Sequence, residues 1–290
     1  MTNMGKLQDS ECLGPRPFLR WAGGKQKLVK YLLPFLPPPD RYRRYFESFL
    51  GAGALFFATS PIAAVLGDIN RELMTCYEQV AKDSDRVHEI VQQLALRDSR
   101  RFFYFTRSMV PDRLIPAERA ARFIYLNKAA FNGIYRVNRL GQFNVPYGPS
   151  STGPAIPSRD LLRAAAKTLE TAQLVVGDFE ETVKSAKEGD FVYMDPPYPP
   201  RSRTAFFNHY CQQGFGWEHQ LRVAEVFKQL ADRGCLVMLS NAGQQKVYAL
   251  YRKFQIHRLN VVRWVGSNGD RFRAREIVVT NYDVLGVQKA

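Results

Sequence analysis

The chain has 290 residues, 46% of them hydrophobic, with four cysteines, four histidines and a formal net charge of +14. Such a chain can bury a full core as one or two domains, and its basic charge suits a polyanionic partner such as nucleic acid, with an ordinary basic protein as the alternative. No stretch approaches the roughly 20 apolar residues of a membrane span, and the start lacks a signal-peptide core, so we expect a cytoplasmic protein. The cysteines and histidines do not have the spacing of metal ligands or of paired cysteines, so we expect neither a metal site nor a disulfide.

A pair of glycines precedes the first predicted helix. Gly23 and Gly24 lie before an apolar-periodic stretch at residues 25–36, which the three prolines after it must end. This pattern predicts that Trp21 and Lys25 lie at the amino end of a helix. Taken alone, Trp21 is better explained as a core anchor and Lys25 as a solvated side chain.

The next segment predicts the first βα unit of a Rossmann-like sheet. Residues 45–49 form a predicted strand, and Gly51-Ala52-Gly53 leads from it into a predicted helix at residues 54–59. Glycines there let the backbone approach a ligand closely, and the helix start offers free amide donors. A tight turn without a ligand is the alternative.

An acid ends the second predicted strand, which covers residues 63–66 and is followed by Gly67-Asp68. An acid at this position binds the ribose hydroxyl pair in nucleotide-binding folds. Asp68 is therefore our predicted ribose ligand, and a helix N-cap is the alternative.

From residue 71 to about residue 157 the pattern changes to helical and basic-aromatic segments. Residues 71–95 and 116–130 predict helices. Two alternating runs around residues 139–141 predict a β-hairpin within residues 131–147. Arginine and asparagine on a hairpin with flanking aromatic residues suit the reading of base edges, and a charged surface hairpin is the alternative.

The sheet pattern resumes after a linker rich in proline, glycine and serine at residues 148–158. The elements predicted after it are a helix at 161–170, a third strand at 174–179, a buried strand at 191–194, a helix at 217–232, a strand at 236–239 and a terminal hairpin from 254–265 and 276–282.

The buried strand at residues 191–194 runs directly into Asp195-Pro196-Pro197-Tyr198. Ligands collect at the carboxyl ends of strands in open α/β sheets, and two prolines end the strand by removing amide donors. Such a turn suits attack by an exocyclic amine on a methyl donor. Asp195 and the Pro196 carbonyl would accept the two protons of adenine N6, and Tyr198 would stack on a base flipped from its helix. A strand that simply ends in an Asp-Pro turn is the alternative.

Four motifs of the chain occur in the order found in a known family. They are Phe18-Leu19-Arg20-Trp21-Ala22-Gly23-Gly24-Lys25, Phe49-Leu50-Gly51-Ala52-Gly53, Asp195-Pro196-Pro197-Tyr198 and Leu239-Ser240-Asn241. With them the chain resembles, over almost its whole length, an S-adenosylmethionine-dependent DNA adenine-N6 methyltransferase of the Dam type (D12 class, alpha group). The resemblance implies an α/β fold, with a Rossmann-like methyltransferase sheet at residues 1–70 and 158–290 and an inserted helical and β-hairpin target-recognition domain at residues 71–157.

The resemblance also implies roles for individual residues. Those expected to bind the cofactor, S-adenosylmethionine, are Trp21, Lys25, Phe49, Gly51, Gly53, Asp68, Asp178, Phe179 and Asp195. Those expected to be catalytic are Asp195, Pro196, Pro197 and Tyr198. Those expected to contact double-stranded DNA are Arg20, Phe131, Asn132, Ile134, Arg136, Asn138, Arg139 and Pro146.

Recognition of the tetranucleotide GATC is the specificity that the resemblance implies. In the family it rests on a basic residue before the first Trp, an aromatic-Asn pair, and an Arg and a Pro in the hairpin. The matching positions here are Arg20, Phe131, Asn132, Arg136 and Pro146. The family often has Lys at the first position and Tyr at the second, but arginine also donates to guanine and phenylalanine also wedges between bases.

Two other functions stay open at the level of the sequence. An RNA base amino-methyltransferase would share the cofactor fold and the Asp-Pro-Pro-Tyr turn. A basic DNA-binding protein that keeps the fold without catalysis belongs to a different class. The sequence also leaves open whether a restriction endonuclease is a partner.

Overall fold

The computed structural model describes residues 14–21, 23–138, 140–199, 215–264 and 271–284. Within these ranges the helices are α1 (Val29–Leu32), α2 (Ala54–Thr59), α3 (Arg71–Leu96), α4 (Arg100–Ser108), α5 (Pro116–Ala129), α6 (Arg159–Leu169), α7 (Phe179–Val183), α8 (Trp217–Asp232) and α9 (Gln245–Leu250). The strands described are β1 (Tyr45–Glu47), β2 (Ala64–Asp68), β3 (Ala172–Val176), β4 (Phe191–Met194), β5 (Leu236–Ala242), β6 (Gln255–Trp264) and β7 (Arg271–Thr280).

The strands in these ranges form one seven-stranded sheet in the order β3-β2-β1-β4-β5-β7-β6. β1 to β5 are parallel to one another, and β7 is antiparallel to both β5 and β6. Both faces are covered, because Tyr45 and Tyr193 belong to one apolar cluster and Phe46 and Val192 to another. The fold is therefore the expected α/β Rossmann-like methyltransferase fold, with the predicted terminal hairpin, β6 and β7, at one edge.

The strand order reverses between β1 and β4. β2 and β3 lie on one side of β1, whereas β4 and β5 lie on the other. Glu47 is in register with Tyr193, so the loops that follow these two strands leave the sheet side by side. Ligands of open α/β sheets bind in the crevice at such a point, outside the carboxyl ends of the strands.

The segment inserted after β2 packs on the sheet through α3, and α5 packs on α3. Asn70 caps α3 by accepting a hydrogen bond from the Leu73 amide at 3.1 Å, and α3 kinks at Asp83. Leu73 on α3 and Ile124 on α5 belong to the same buried cluster as Tyr45 of the sheet. Apolar packing is thus continuous from the sheet into the insertion, and the division into two domains stays a prediction.

The predicted hairpin within residues 131–147 is a chain reversal without regular strands. Its two sides are joined by isolated bridges between Val137 and Phe143 and between Ala130 and Tyr147. A 3₁₀ turn at Phe131–Gly133 and a proline without an amide donor at position 146 interrupt the ladder between them. We call this reversal, residues 130–147, the recognition hairpin.

Two local predictions were wrong, and two helices had not been predicted. The helix expected at residues 25–36 is α1 flanked by 3₁₀ turns at Lys25–Lys27 and Leu33–Phe35, and Pro34 has no amide to continue it. The strand expected at residues 174–179 ends at Val176, because Asp178 caps α7 instead. The short helices α7 and α9 were not predicted.

Two kinds of feature are absent from the residues that the structure describes. No helix in these ranges is long and apolar enough to cross a membrane. No group of three or more His, Cys, Asp or Glu side chains in them is arranged to hold a metal ion.

Candidate active site

A cavity of about 860 Å³ opens at the carboxyl ends of the parallel strands. It is bordered by eleven of the twelve residues expected from the sequence to bind cofactor or to be catalytic: Trp21, Lys25, Phe49, Gly51, Asp68, Asp178, Phe179, Asp195, Pro196, Pro197 and Tyr198. The twelfth, Gly53, precedes α2 with a left-handed φ of 63°. Segments more than 170 residues apart in the chain thus meet in one space.

Asp195 lies at the end of β4 with one carboxylate oxygen fully engaged. Its Oδ1 accepts a hydrogen bond from Ser240 Oγ at 2.7 Å and pairs with Lys25 Nζ at 2.6 Å. Burial raises the pKa of Asp195, and Lys25 and Ser240 oppose that rise. Among the described residues none donates to Asp195 Oδ2 or to the Pro196 carbonyl. Two acceptors therefore remain for the protons of an exocyclic amine.

A chain of buried amide side chains holds the turn after Asp195. Asn241 donates to Gln220 at 2.9 Å, and Gln220 donates to the Pro197 carbonyl at 2.8 Å. Both side chains are fully buried, so neither has water as a competing partner. The Leu239-Ser240-Asn241 motif, which had no individual roles in the sequence analysis, therefore supports this turn.

The Tyr198 ring is held at its hydroxyl and at its face. The hydroxyl donates to Glu276 Oε2 at 2.9 Å, and Lys25 Nζ lies 4.5 Å from the ring centroid. Glu276 is 3% exposed at the start of the part of β7 that pairs with β5. It was missed because nothing in the sequence distinguishes it from the outward-facing acid of a terminal strand.

The loop after β1 is fixed by Asp68. The Gly51 amide donates to Asp68 Oδ2 at 3.0 Å, and the Asn70 amide donates to Asp68 Oδ1 at 2.9 Å. Burial raises the pKa of Asp68, and these amides oppose that rise. Asn70, not Asp68, is the N-cap of α3, so the alternative interpretation of Asp68 as a helix N-cap is wrong.

Gly51 allows the loop to approach Trp21. Its φ is +48°, and a β-carbon there would lie 2.7 Å from Trp21 Cδ1. Trp21 stacks on Tyr135 at 5.2 Å between ring centroids, with an interplanar angle of 16°. Trp21 is thus both packed against the insertion and exposed to the cavity, which combines the two interpretations that the sequence left open.

Phe49 and Phe179 form an aromatic part of the cavity wall, where Asp178 is paired with Arg222. Phe49 stacks on Phe179 at 5.2 Å, and the Arg222 guanidinium carbon lies 4.9 Å from the Phe179 centroid. Asp178 Oδ1 accepts from Arg222 at 3.0 Å and from the Glu180 amide at 3.1 Å. The cofactor contacts expected of Asp178 and Phe179 stay predictions, and a ligand would share both residues with Arg222.

A buried acid in the cavity wall was not predicted. Glu47 is 3% exposed, and burial raises its pKa to about 8, although the Tyr45 hydroxyl donates to it at 2.7 Å. Its carboxyl therefore holds a proton over much of the neutral range. An acid inside the apolar strand at residues 45–49 was the available signal.

The residues expected to contact DNA gather around the recognition hairpin. Arg136 Nε donates to Asn144 Oδ1 at 2.8 Å across it, and the Phe131 amide donates to the Pro146 carbonyl at 3.0 Å. The Phe131 side chain is 51% exposed. Arg20 lies so close to Gly133 that a β-carbon there would overlap its side chain. The structure thus brings Arg20 to the hairpin from a distant part of the sequence.

The other expected DNA contacts have different surroundings. Asn138 Oδ1 accepts from the Leu140 and Gln142 amides at 2.9 and 3.0 Å, so this side chain holds the tip of the hairpin. Ile134 is half-buried against the apolar cluster that contains Phe103. Asn132 is exposed with a φ of 55°. Arg139 lies outside the described residues, and the DNA contacts of this whole group stay predictions.

Comparison with known proteins identifies similar chains. The family model of the D12 class N6 adenine-specific DNA methyltransferase matches residues 21–265. The type II methyltransferase M1.LlaDCHI of Lactococcus lactis subsp. cremoris is 39% identical over 286 residues, which cover 96% of this chain and 99% of that protein. The DNA adenine methylase of Escherichia coli is 32% identical over 256 residues, which cover 88% of this chain and 90% of that protein. These matches span both the sheet and the inserted helices.

Proposed function

The chain belongs to the D12 class of N6 adenine-specific DNA methyltransferases, and from that membership we propose that it methylates N6 of an adenine flipped from duplex DNA, with S-adenosylmethionine as the donor. The observation that carries this proposal is the pair of open acceptors at the end of β4, Asp195 Oδ2 and the Pro196 carbonyl. They are complementary to the two protons of an exocyclic amine.

The cavity beside these acceptors fits the donor. Gly51 presents backbone instead of a side chain, Asp68 is a carboxylate at the ribose position of the fold, and Trp21 and Lys25 border the same space. Its volume of about 860 Å³ lies within the range of small-molecule sites. When bound there, S-adenosylmethionine supplies a methyl group made electrophilic by its sulfonium.

The residues of the chain prepare the amine for attack. In the ring system of adenine the N6 lone pair is delocalised, so two acceptors on its protons localise that pair on nitrogen. Asp195 and the Pro196 carbonyl supply these acceptors, and Tyr198 stacks on the base. As the N–C bond to N6 forms, the methyl–sulfur bond breaks and its electron pair stays on sulfur, which would leave S-adenosylhomocysteine, and N6 then releases one proton to solvent. Orientation and electrostatics supply the rate, without a covalent intermediate on the enzyme.

Methyl incorporation from labelled S-adenosylmethionine tests this function. Duplex DNA that contains GATC competes with structured RNA, and we expect the label in the DNA as N6-methyladenine, detected by mass spectrometry after digestion. Label in the RNA would instead support an RNA base amino-methyltransferase. Absence of label with retained DNA binding would indicate the non-catalytic DNA-binding protein.

For specificity, we propose that the target contains GATC and that Arg136 reads its guanine, with Arg20 assisting and Phe131 wedging into the base stack. The exposure of Phe131 and the position of Arg20 beside Gly133 support this arrangement. Arg136 Nε is held by Asn144, so the guanidinium has its remaining donors for the acceptor edge of guanine.

Arg136→Ala should cost about 1–3 kcal/mol of discrimination at one base pair, the value of a bidentate contact to guanine. Methylation rates are compared on oligonucleotides that carry each single-base change of GATC. Arg163→Ala is the matched control, because the same change falls on α6, where the guanidinium pairs with Asp85 at 2.8 Å. Equal rates of the wild type on every variant site, or a uniform loss in Arg136→Ala, would contradict the assignment.

A further inference from the structure

Two buried hydroxyls lead to Asp195 from within the sheet. Met194 and Leu239 are in register on β4 and β5, so the residues that follow them, Asp195 and Ser240, are neighbours. Tyr193 lies on the same face as Asp195 because side chains alternate along a strand. Tyr193 and Ser240 are each 1% exposed, and their hydroxyl oxygens are 2.9 Å apart.

The chemistry of the three groups fixes the direction of their hydrogen bonds. An ionised Asp195 only accepts, so the single hydroxyl proton of Ser240 must point to Asp195 Oδ1, at 2.7 Å. Ser240 then has only acceptor capacity for Tyr193, which must donate to it. Burial raises the pKa of Tyr193 well above its ordinary value, which keeps that proton in place.

From this geometry we propose that Tyr193 and Ser240 are positioning residues, which form a directional relay from the sheet interior to Asp195 Oδ1 and thereby present Oδ2 to the target amine. The inference rests on the role proposed above for Asp195. Without Ser240, the carboxylate retains Lys25 as its partner on Oδ1, but Lys25 reaches it through a long side chain of rotatable bonds that borders the cavity. Ser240 is instead fixed by the β4–β5 register.

Packing alone does not explain why the hydroxyls of Tyr193 and Ser240 are buried. A hydroxyl taken out of water costs free energy unless it is bonded, and phenylalanine and alanine would fill the same positions without that cost. The bonds of the relay lead to a charged acceptor, and hydrogen bonds to charged groups are the stronger class. The relay therefore ends where the proposed chemistry needs an oriented carboxylate.

Single-turnover methylation of Tyr193→Phe, Ser240→Ala and the double variant tests the relay. We expect Ser240→Ala to slow transfer about 10- to 100-fold, as for loss of a bond to a charged group, and Tyr193→Phe about 3- to 10-fold, as for a neutral bond. The double variant should match Ser240→Ala within about twofold, because Tyr193 acts on Asp195 only through Ser240.

Two further measurements separate positioning from loss of structure. Removing a donor from a carboxylate raises its pKa, so the acid limb of the rate profile should move to higher pH in Ser240→Ala. The other titratable groups that act on Asp195, namely Lys25, Glu47, Tyr193 and Glu276, are unchanged in that variant. Fluorescence of 2-aminopurine at the target position, without cofactor, should show base flipping close to that of the wild type.

Tyr251→Phe is the matched control. It removes an equally buried hydroxyl, in the turn directly after α9, that has no hydrogen-bond partner among the described residues. Rate and pH profile should stay as in the wild type. If Ser240→Ala is too unstable to assay, Ser240→Cys keeps the volume with a weaker donor and must show the same shift of the acid limb.

The outcomes also separate this inference from the proposed function. Ser240→Ala with a near wild-type rate, or a double variant whose loss is the product of the single losses, would overturn the relay. If Asp195→Ala is inactive in that case, the proposed function stands and only the relay fails. If Asp195→Ala is fully active, the proposed role of Asp195 fails, and the relay fails with it.

Discussion

Asp195→Ala should lower methyl transfer to duplex DNA by about 10²- to 10⁴-fold, the range for loss of a positioned proton acceptor or of a main electrostatic contact in the transition state. The variant loses the carboxylate oxygen that is open to the target amine and keeps only the Pro196 carbonyl. Cofactor binding should be largely intact, because the ribose position of the fold lies at Asp68, on another strand.

The buried partner of Asp195 complicates this experiment. Lys25 Nζ lies 2.6 Å from Asp195 Oδ1, and its side chain is 6% exposed. Removal of one member of a buried ion pair leaves the other charge without compensation and costs up to about 3–5 kcal/mol of stability. We therefore expect a lower melting temperature in Asp195→Ala, which would by itself reduce activity.

A second substitution separates lost chemistry from lost stability. In Asp195→Ala with Lys25→Met both charges are removed, so the melting temperature should recover while methyl transfer does not. Asp195→Asn keeps the volume and an acceptor for Lys25 but removes the charge, and it too should be strongly impaired. Transfer at a near wild-type rate in a folded Asp195→Ala would contradict the mechanism.

The sheet and the turn were predictable because their patterns are local. Four buried residues that run into Asp195-Pro196-Pro197 identify both a strand and its end, and glycines 51 and 53 identify the loop after β1. Parallel strands place their carboxyl ends at one edge. The meeting of Asp68 and Asp195 in one cavity therefore followed from strand assignments alone.

The partners of the site residues were not predictable, because they depend on register and on which strands are neighbours. Ser240 reaches Asp195 only because β5 lies next to β4, and Glu276 reaches Tyr198 only because β7 lies antiparallel beside β5. Periodicity places a residue on a face but does not say which strand lies beside it. Similarly, asparagine is a residue type that can read base edges, yet the Asn138 side chain holds the turn at the tip of the recognition hairpin.

Asp68→Ala should raise the dissociation constant of the cofactor by an amount equivalent to about 1.5–3 kcal/mol, the value of a hydrogen bond to a charged group. DNA affinity without cofactor should change little, because Asp68 lies at the end of β2 and not on the recognition hairpin. Calorimetry with S-adenosylhomocysteine measures the first quantity and fluorescence anisotropy of labelled duplex the second.

Asp68 also holds the loop after β1, and Asp68→Ala would disturb that loop as well. Its two oxygens hold the amides of Gly51 and Asn70, so the loop after β1 would also loosen. Tyr77→Phe is the control for this effect, because the Tyr77 hydroxyl donates to the Gly51 carbonyl at 2.9 Å without being a candidate ribose ligand. A loosened loop alone should change cofactor affinity by no more than about 3- to 10-fold, the value of one neutral hydrogen bond.

A ligand without ribose hydroxyls separates the two tasks. Wild-type protein should bind a 2′,3′-dideoxy analogue of S-adenosylhomocysteine more weakly than the parent compound. Asp68→Ala should bind the two ligands alike, because it lacks the carboxylate that distinguishes them. Equal discrimination by both proteins would mean that Asp68 only organises the backbone of the loop. The ribose would then need another ligand in the cavity wall, although the strand-end position of Asp68 would still explain why Gly51 can approach Trp21.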